Sequence, residues 1–600
     1  MPPGCLFFPR GGAPGVSRSP MNSLPTSDVN SANRGQSSLR VLGAPVWGFA
    51  CGLALLGAIL LARPYANIGV SDEFSYLRIA QVLASTGHIA YTGWVTPILG
   101  WQLYLAALFI KLFGFSFTAT RASVTLISFV TAIVCQRTFV RAGVREWNAS
   151  IGTLTLMLSP LCLPLEVTFM SDMPGLFAIV SCCYACLRAL EAKTSNRALA
   201  WIAFAALSNV VFGSARQVGW LGVLVMVPSA LWLLRKDRWV FIPGTGLWVL
   251  GSALVFAILH WFEEQPYVQL EPLFPHRIGW HVLRHLAEHM LRAGFETALL
   301  LLPVLLMFLP ALWRRSFPKA VYAVGGLFLV SAVWLWGRHQ IASWFAPYLP
   351  GVAPFSDLSF ARAFLTLAVL LSILALLASV LIRKNARQDP ADSPCSISDR
   401  RLAVLLLPFT ISYTSLLLPR AGFGSFWDRY VIPLLFVLLL FLLRYWQKYF
   451  SPRLPWAALI LAVGLGLYAS AALHDDFAYN RARIAAIDEL LARGVPATAL
   501  SGGWDYDGWT ELQISGHILG PSMRVPPGVT LPKPTHYGLA HCPWFYCDMY
   551  PHVVPRYTIS LHPDPIPGTN FAPVPYHSWI GPSGAFYVVR FPDRSPDGPI

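Results

Sequence analysis

Apolar stretches of about 16 to 24 residues, each closed by a short polar break, recur from residue 44 to residue 473. Such runs match the roughly 20 residues a helix needs to cross the hydrocarbon core of a bilayer. They predict spans at 44–63, 120–140, 149–166, 174–190, 199–214, 217–234, 239–260, 295–313, 319–337, 360–383, 401–419, 430–446 and 455–473. Beyond 473 the pattern turns polar and proline-rich. There NRARIAAIDELLARGVP (480–496) predicts an amphipathic helix stopped by Gly494 and Pro496, SGGWDYDGW (501–509) a turn, and GAFYVVRF (584–591) a strand. The fold class expected is an all-α polytopic membrane protein of about thirteen helices, carrying a small α/β domain over 474–600.

One apolar stretch, 96–113, is ambiguous by composition, and the basic loops decide it. Lys and Arg gather in RKDR (235–238), WRRSFPK (313–319) and RKNAR (383–387), and Arg137, Arg141 and Arg145 form another basic break. Loops rich in Lys and Arg stay in the cytoplasm. If 96–113 crossed fully, every later basic loop would invert, so it reads as re-entrant or interfacial. With a cytoplasmic N-terminus, this order places the loops about 64–119 and 261–294 and the C-terminal domain on the outer face. SDMP (171–174), GSARQ (213–217), the loop 338–359 and FWDRY (426–430) fall on that face too.

Composition supports the membrane reading: 55% of the 600 residues are hydrophobic and 12% charged, about half the charge of a soluble chain. The net charge of +15 sits in short loops between apolar runs, which reports orientation and argues against a nucleic-acid partner. Residues 1–43 are rich in Ser, Pro, Gly and Asn and read as a disordered cytoplasmic tail, without the apolar core of a signal peptide. Cys182, Cys183 and Cys186 read as small apolar residues of one helix. Cys542 and Cys547, in HCPWFYC, have the option of a disulfide if their domain is outside the cytoplasm.

The acids on the outer face carry the candidate chemistry. Asp72 and Glu73 open a helix in NIGVSDEFSYLRIAQ (67–81), and Asp172 stands where another span meets the same face, just before Pro174. A carboxylate beside this much apolar sequence is costly unless paired or hydrated. Arg216 and Gln217 lie between two spans, and Arg429 and Tyr430 open another. Such arginines either snorkel to the interface or bind a lipid phosphate through a bidentate fork. His281, His285 and His289 recur every four residues, a spacing open to zinc, but no HExxH accompanies them and a helix lying on the membrane fits better. The chain has no GxxxxGK followed by Ser or Thr, no GxGxxG after a strand and no GxSxG.

These elements resemble the GT-C superfamily of lipid-linked-sugar glycosyltransferases. SDEFSYLRIAQ after the first span, TPILGWQLYLAALFIKLFGFSFTATR (96–121), TFMSDMP, ARQ and DRYVIPL are similar, in this order, to the branch of protein O-mannosyltransferases and the aminoarabinose transferase of lipid A. The likeness covers residues 44 to about 445. Thr96 stands where that branch commonly has a second Pro beside Pro97, and YTGWV lacks its charged residue before this helix.

The resemblance implies a sugar donor on a polyprenyl phosphate and a glycan, lipid or protein acceptor, in a bacterial cytoplasmic (inner) membrane with the site outside. It implies Asp72 as general base, inversion at the anomeric carbon, and Arg216 or Arg429 stabilising the departing phosphate. Asp172 would orient donor or acceptor or help hold a divalent cation, a requirement that stays open; no other cofactor is implied. Glu73 either binds the sugar or caps the helix beginning at Phe74, Tyr76 offers a hydroxyl to the donor, and Gln217 and Tyr430 complete the substrate contacts. A lipid or sugar transporter or flippase is the alternative, with sites expected near the bilayer midplane; a scaffold binding cell-wall material leaves the acids unexplained.

Overall fold

A computed structural model of the chain describes residues 29–270, 279–313, 326, 330, 359–382, 397–422, 427–532, 546–563 and 571–590. Among them, seven helices are long and apolar enough to cross a membrane, and the bent pair Trp280–Leu300 and Leu302–Pro310, at 64°, makes an eighth if it counts as one span. The chain is a multi-pass helical membrane protein. The helices that position the site are α1 (Val29–Ala62), α2 (Glu73–Thr86), α3 (Gly100–Phe113) and α4 (Phe117–Arg141). They continue with α5 (Glu146–Met157), α6 (Cys162–Leu165), α7 (Asp172–Glu191), α8 (Ser195–Gly213), α9 (Val227–Leu234), α10 (Arg238–Glu264), α11 (Trp280–Leu300) and α12 (Leu302–Leu305). The last are α13 (Ser359–Ile382), α14 (Asp399–Gly422), α15 (Ile432–Tyr449), α16 (Trp456–Ala492) and α17 (Trp504–Ser515).

Among the described residues, the apolar stretches differ from uniform spans for local reasons. The stretch 149–166 is not one helix: α5 ends at Met157, and α6 resumes for only 4 residues after Pro160. Proline removes a backbone donor and clashes with the preceding turn. The stretch 96–113 contains α3, whose 14 residues rise roughly 21 Å, short of a ~30 Å core. The stretch 319–337 apart from residues 326 and 330, the loop 338–358 and Cys542 lie outside the described residues.

The end of the last span also differs from expectation. The predicted span 455–473 and helix 480–496 are one helix, α16, of 37 residues. His474, Asp475 and Asp476 look like a polar stop, but nothing in the sequence breaks the helix before Gly494, which adopts φ 85°. Asp475 is instead covered by the C-terminal region, accepting N–H groups from Trp579 (2.6 Å), Ile580 (3.0 Å) and Gly581 (2.9 Å). SGGWDYDGW is not a turn throughout: Gly503 turns the chain and α17 begins at Trp504, with Asp505 and Asp507 in its first turn, where the helix dipole favours acids.

Strands β1 (Leu500–Ser501), β2 (Tyr557–Ser560), β3 (Val574–Tyr576) and β4 (Gly584–Arg590) form a sheet in the order β1-β2-β4-β3. β1 and β2 are parallel and the other pairs antiparallel, with Tyr557 opposite Arg590 and Val574 opposite Phe586. Tyr479 of α16 packs on Phe586 at 4.7 Å, which ties the sheet to the last span.

Asp507 anchors this region from within. Its carboxylate accepts the Gly502 N–H (2.8 Å) and the Ser501 hydroxyl (2.9 Å), and burial pushes the carboxyl up to about 7 despite these bonds. The folded state therefore holds a proton that an unfolded Asp, near 3.9, has already lost, and stability falls as pH rises from about 4 to about 7. The heat-unfolding midpoint of the detergent-solubilised protein is expected to be lower at pH 8 than at pH 5, with a smaller difference in Asp507→Asn. An equal difference in both proteins contradicts this assignment.

Candidate functional site

Of the five charged candidates, Asp72, Glu73 and Asp172 sit at the N-terminal ends of helices, and Arg216 and Arg429 lie at short 3₁₀ turns. Asp72 precedes α2, Asp172 begins α7, Arg429 lies in the turn Asp428–Val431 that leads into α15, and Arg216 precedes the turn Gln217–Trp220. Helix N-termini present unsatisfied N–H groups and a positive dipole end. The turn carrying Arg216 runs into a π-helical stretch, Gly222–Met226. Asn209 of α8 fastens it, donating to the Gly219 carbonyl (3.1 Å) and accepting the Val223 N–H (2.7 Å). Gly175 leaves room for the Arg216 stem: a Cβ there would sit 3.3 Å from it.

The structure brings Asp72, Arg429, Asp172 and Arg216 into one chain of charges. Asp72 Oδ2 is 3.8 Å from Arg429 Nη2, Arg429 Nη1 is 3.8 Å from Asp172 Oδ2, and Arg216 Nη1 pairs with Asp172 Oδ1. The two acids differ in access: the Asp72 side chain is 23% exposed and that of Asp172 only 3%. Asp72 Oδ1 accepts the Trp94 indole N–H at 2.9 Å. Tyr430 lies beside the chain, with the Arg216 guanidinium 5.2 Å and the Arg420 guanidinium 5.6 Å from its ring centre, and Arg420 donates to its hydroxyl at 3.2 Å.

Tyr76 is buried against this cluster. Burial pushes its hydroxyl well above the ordinary tyrosine range, Asp72 adding to the rise and Arg429 and Arg216 opposing it. Gln217 is committed to the backbone, its Nε2 donating to the Thr96 carbonyl at 2.8 Å. Beside Arg429 lies a cavity of about 20 Å³, lined also by Ser71 and Asp476; that volume holds a single water and no sugar.

Glu73 departs from both sequence expectations. Its side chain is 0% exposed, and it makes no cap. Its carboxylate pairs with Arg121 Nη2 and Nε (3.0 Å) and accepts the N–H groups of Val70 (2.7 Å) and Phe169 (2.7 Å). Arg121 donates in addition to the carbonyls of Ala66 (2.8 Å) and Ile68 (2.5 Å), between the rings of Phe477 (5.2 Å) and Phe117 (5.7 Å). This buried pair ties the loop carrying Asp72 to the loop carrying Asp172, and it leaves Glu73 no surface for a sugar.

Trp94, Arg121 and Arg420 belong to the site's framework although sequence reasoning did not single them out. Arg121 had a signal, since it closes the 96–121 motif; Trp94 stands in the YTGWV that lacks the expected charge. The C-terminal region reaches the same place. Trp504 meets Trp94 at 4.9 Å and Phe74 at 5.5 Å, and Trp509 stacks on Phe115 at 5.2 Å. Backbone bonds lace the loops together: Ile518 N–H donates to Thr92 (2.8 Å) and Gly93 N–H to Tyr267 (2.8 Å). Gly93, at φ 86°, passes so close that a Cβ would stand 2.1 Å from the Ile518 carbonyl oxygen.

Among the described residues, no three His, Cys, Asp or Glu side chains gather as a metal set. Asp172 is flanked by two guanidiniums and Asp72 by one, which disfavours a divalent cation between them. In α11, the His289 ring Nδ1 lies 2.7 Å from the Ala421 carbonyl and His285 lies 4.0 Å from Glu288, so the histidines turn to different partners.

No protein-family profile and no curated protein matches the chain. Among solved structures, it is similar to ArnT from Cupriavidus metallidurans in the apo state, at 18% identity and TM-score 0.37, over 80% of this chain and 84% of that one. The same protein bound to undecaprenyl phosphate matches at 15% identity and TM-score 0.37, over 89% and 96%. The archaeal oligosaccharyltransferase AglB from Archaeoglobus fulgidus, in complex with an inhibitory peptide and a dolichol-phosphate, matches at 14% identity and TM-score 0.34, over 84% and 63%. These neighbours are GT-C glycosyltransferases, the superfamily that the sequence motifs resemble. The likeness is distant and adds no chemistry to that of the residues themselves.

Proposed function

We propose that the chain transfers a sugar from a polyprenyl phosphate to a hydroxyl or amine of a glycan, lipid or protein acceptor at the outer face of a bacterial cytoplasmic membrane. The observation that carries this reading is the charge chain Asp72–Arg429–Asp172–Arg216 at the mouths of α2, α7 and α15. It combines one partly exposed carboxylate with guanidiniums held for an anion.

Asp72 takes the acceptor proton as the acceptor heteroatom attacks the anomeric carbon. The bond from that carbon to the phosphate oxygen breaks on the opposite side, its electron pair leaves with polyprenyl phosphate, and configuration inverts. Phosphate departs without protonation because Arg429 and Arg216 meet its growing charge, the preorganised electrostatic stabilisation that contributes most in a dry site. Asp172, nearly sealed from solvent, orients both guanidiniums and takes no proton. Tyr76 and Tyr430 pack against the charge chain, and Trp94 fixes the Asp72 carboxylate. Glu73 acts through position alone. No step is routed through a metal.

The test is release of polyprenyl phosphate by purified protein given a polyprenyl-phosphate sugar and an acceptor extract. Arg429→Gln is expected to lower kcat by about 10²- to 10³-fold, the cost of one oxyanion donor, with the fold intact. Turnover within threefold of the parent contradicts the role of Arg429. A cysteine placed at Ser71 is expected to react with an impermeant thiol reagent from the outer side; labelling only from the cytoplasm overturns the orientation.

A further inference from the structure

The C-terminal half of α16 carries a second feature that the transfer chemistry does not use. A groove of about 450 Å³ opens between this helix and the segment that follows β3, lined by His474, Arg481, Tyr576, His577 and Trp579 over small residues such as Ala478 and Ala482. The helix residues recur at intervals of four and seven, so they share one face. The volume falls within the roughly 300–1,000 Å³ of small-ligand sites.

Three observations narrow what fits. The first is charge: Arg481 lines the groove together with the rings of His474 and His577, and among the described residues no acidic side chain does. The adjacent Asp475 is occupied by three backbone N–H groups and lies 3.1 Å from His474 Nδ1. Arg481 is held ready: its Nη1 donates to the carbonyls of Arg63 (3.0 Å) and Tyr65 (3.2 Å), and the guanidinium lies 4.5 Å from the Tyr65 ring centre. Among the described residues no carboxylate pairs with it.

The second is depth. The apolar part of α16, from Trp456 to Leu473, rises about 27 Å, close to the thickness of the hydrocarbon core. Trp456, Ile460 and Leu467 point outward along it. His474 therefore stands at the edge of the core, and Arg481, seven residues on, about 10 Å above it, in the headgroup layer. The third is the wall. Trp579 lies parallel to His474 at 3.8 Å and is 49% exposed, and aromatic rings of this kind settle at headgroup depth.

We propose that this groove seats the phosphate headgroup of an anionic membrane lipid, with Arg481 binding the phosphate, His474 and His577 offering ring N–H groups, and Trp579 and Tyr576 packing against the headgroup. The site is separate from the charge chain at Asp72 and stands whether or not the transfer reading does. A bound lipid there pins the C-terminal region to the membrane surface beside Arg63 and Tyr65.

The experiment titrates the full chain, purified in a neutral detergent, with dihexanoyl phosphatidylglycerol, dihexanoyl phosphatidylcholine and inorganic phosphate, following tryptophan fluorescence. Saturable binding of the phosphatidylglycerol is expected, at least tenfold tighter than of either other probe. Arg481→Gln is expected to weaken it at least tenfold. His577→Gln, a change at an exposed side chain, is expected to weaken it about threefold, the loss of one hydrogen bond. Equal binding of phosphatidylcholine overturns the proposal, because the groove then does not read charge. Equal binding of inorganic phosphate overturns it in favour of a free-anion site, and so does phosphatidylglycerol binding that neither substitution changes.

Discussion

Asp72→Asn is expected to lower sugar transfer by about 10²- to 10⁴-fold, the range a positioned general base supplies. The substitution is isosteric, and an asparagine Oδ1 still accepts the Trp94 indole N–H that Asp72 accepts at 2.9 Å. What disappears is a proton acceptor and a negative charge 3.8 Å from Arg429. These losses separate kinetically. Loss of the base lowers kcat at saturating donor, whereas loss of a counter-charge changes how tightly Arg429 holds the donor phosphate and moves KM. Asp172→Asn supplies the comparison, since it removes a charge equally far from Arg429 and leaves the base in place. It is expected to shift the KM for the donor more than kcat, and Asp72→Asn the reverse. Full turnover by folded Asp72→Asn protein excludes Asp72 as the base. A fall in kcat as deep in Asp172→Asn assigns the chemistry to the pair.

The convergence of Asp72, Asp172, Arg216 and Arg429 was legible from two simple rules: apolar runs mark spans, and basic loops mark their orientation. Together they place four residues, scattered over more than 350 positions, at one end of the helices. The rules stop at the level of a face. Asp72 and Glu73 are adjacent, and neighbours in a helix point about 100° apart, so one acid turns to the site and the other into the core. Nothing in SDEFSY says which. That answer depends on Arg121, 48 residues away.

The errors around 149–166 and 474–496 have the opposite character. Hydropathy averages over a window and passed over Pro160, whose missing N–H ends a helix locally. At His474–Asp476 it saw a polar stop where the backbone had no reason to stop, because tertiary N–H donors from Trp579 to Gly581 satisfy Asp475. In SGGWDYDGW the two glycine-rich ends suggested a turn. Acids in a first turn after Gly503 are a helix-start signal, and that signal was the better guide. The placing of Trp504 against Trp94 had no local signal at all, since the two meet only through the fold.

The Glu73–Arg121 pair carries the second large effect, on stability. Its attraction alone is no measure of its worth, because burying both ions costs several kcal/mol each. Breaking it is costly, since it strands a charge: Glu73→Gln leaves the Arg121 guanidinium between Phe477 and Phe117, and Arg121→Met leaves a carboxylate that is 0% exposed. Each single substitution is expected to destabilise the protein by about 3–5 kcal/mol. The double substitution is expected to cost less than the sum, because neither charge remains; coupling of this kind is the mark of a direct contact. Unfolding in mixed detergent micelles, followed for all four proteins, measures it. Additive losses, or single losses below about 1 kcal/mol, would place the pair in solvent, where ion pairs contribute that little. The same series reports on position. Glu73 holds the Phe169 N–H three residues before Asp172, so the double variant, even where folded, is expected to lose transfer while keeping Asp72, Asp172, Arg216 and Arg429 unchanged in sequence.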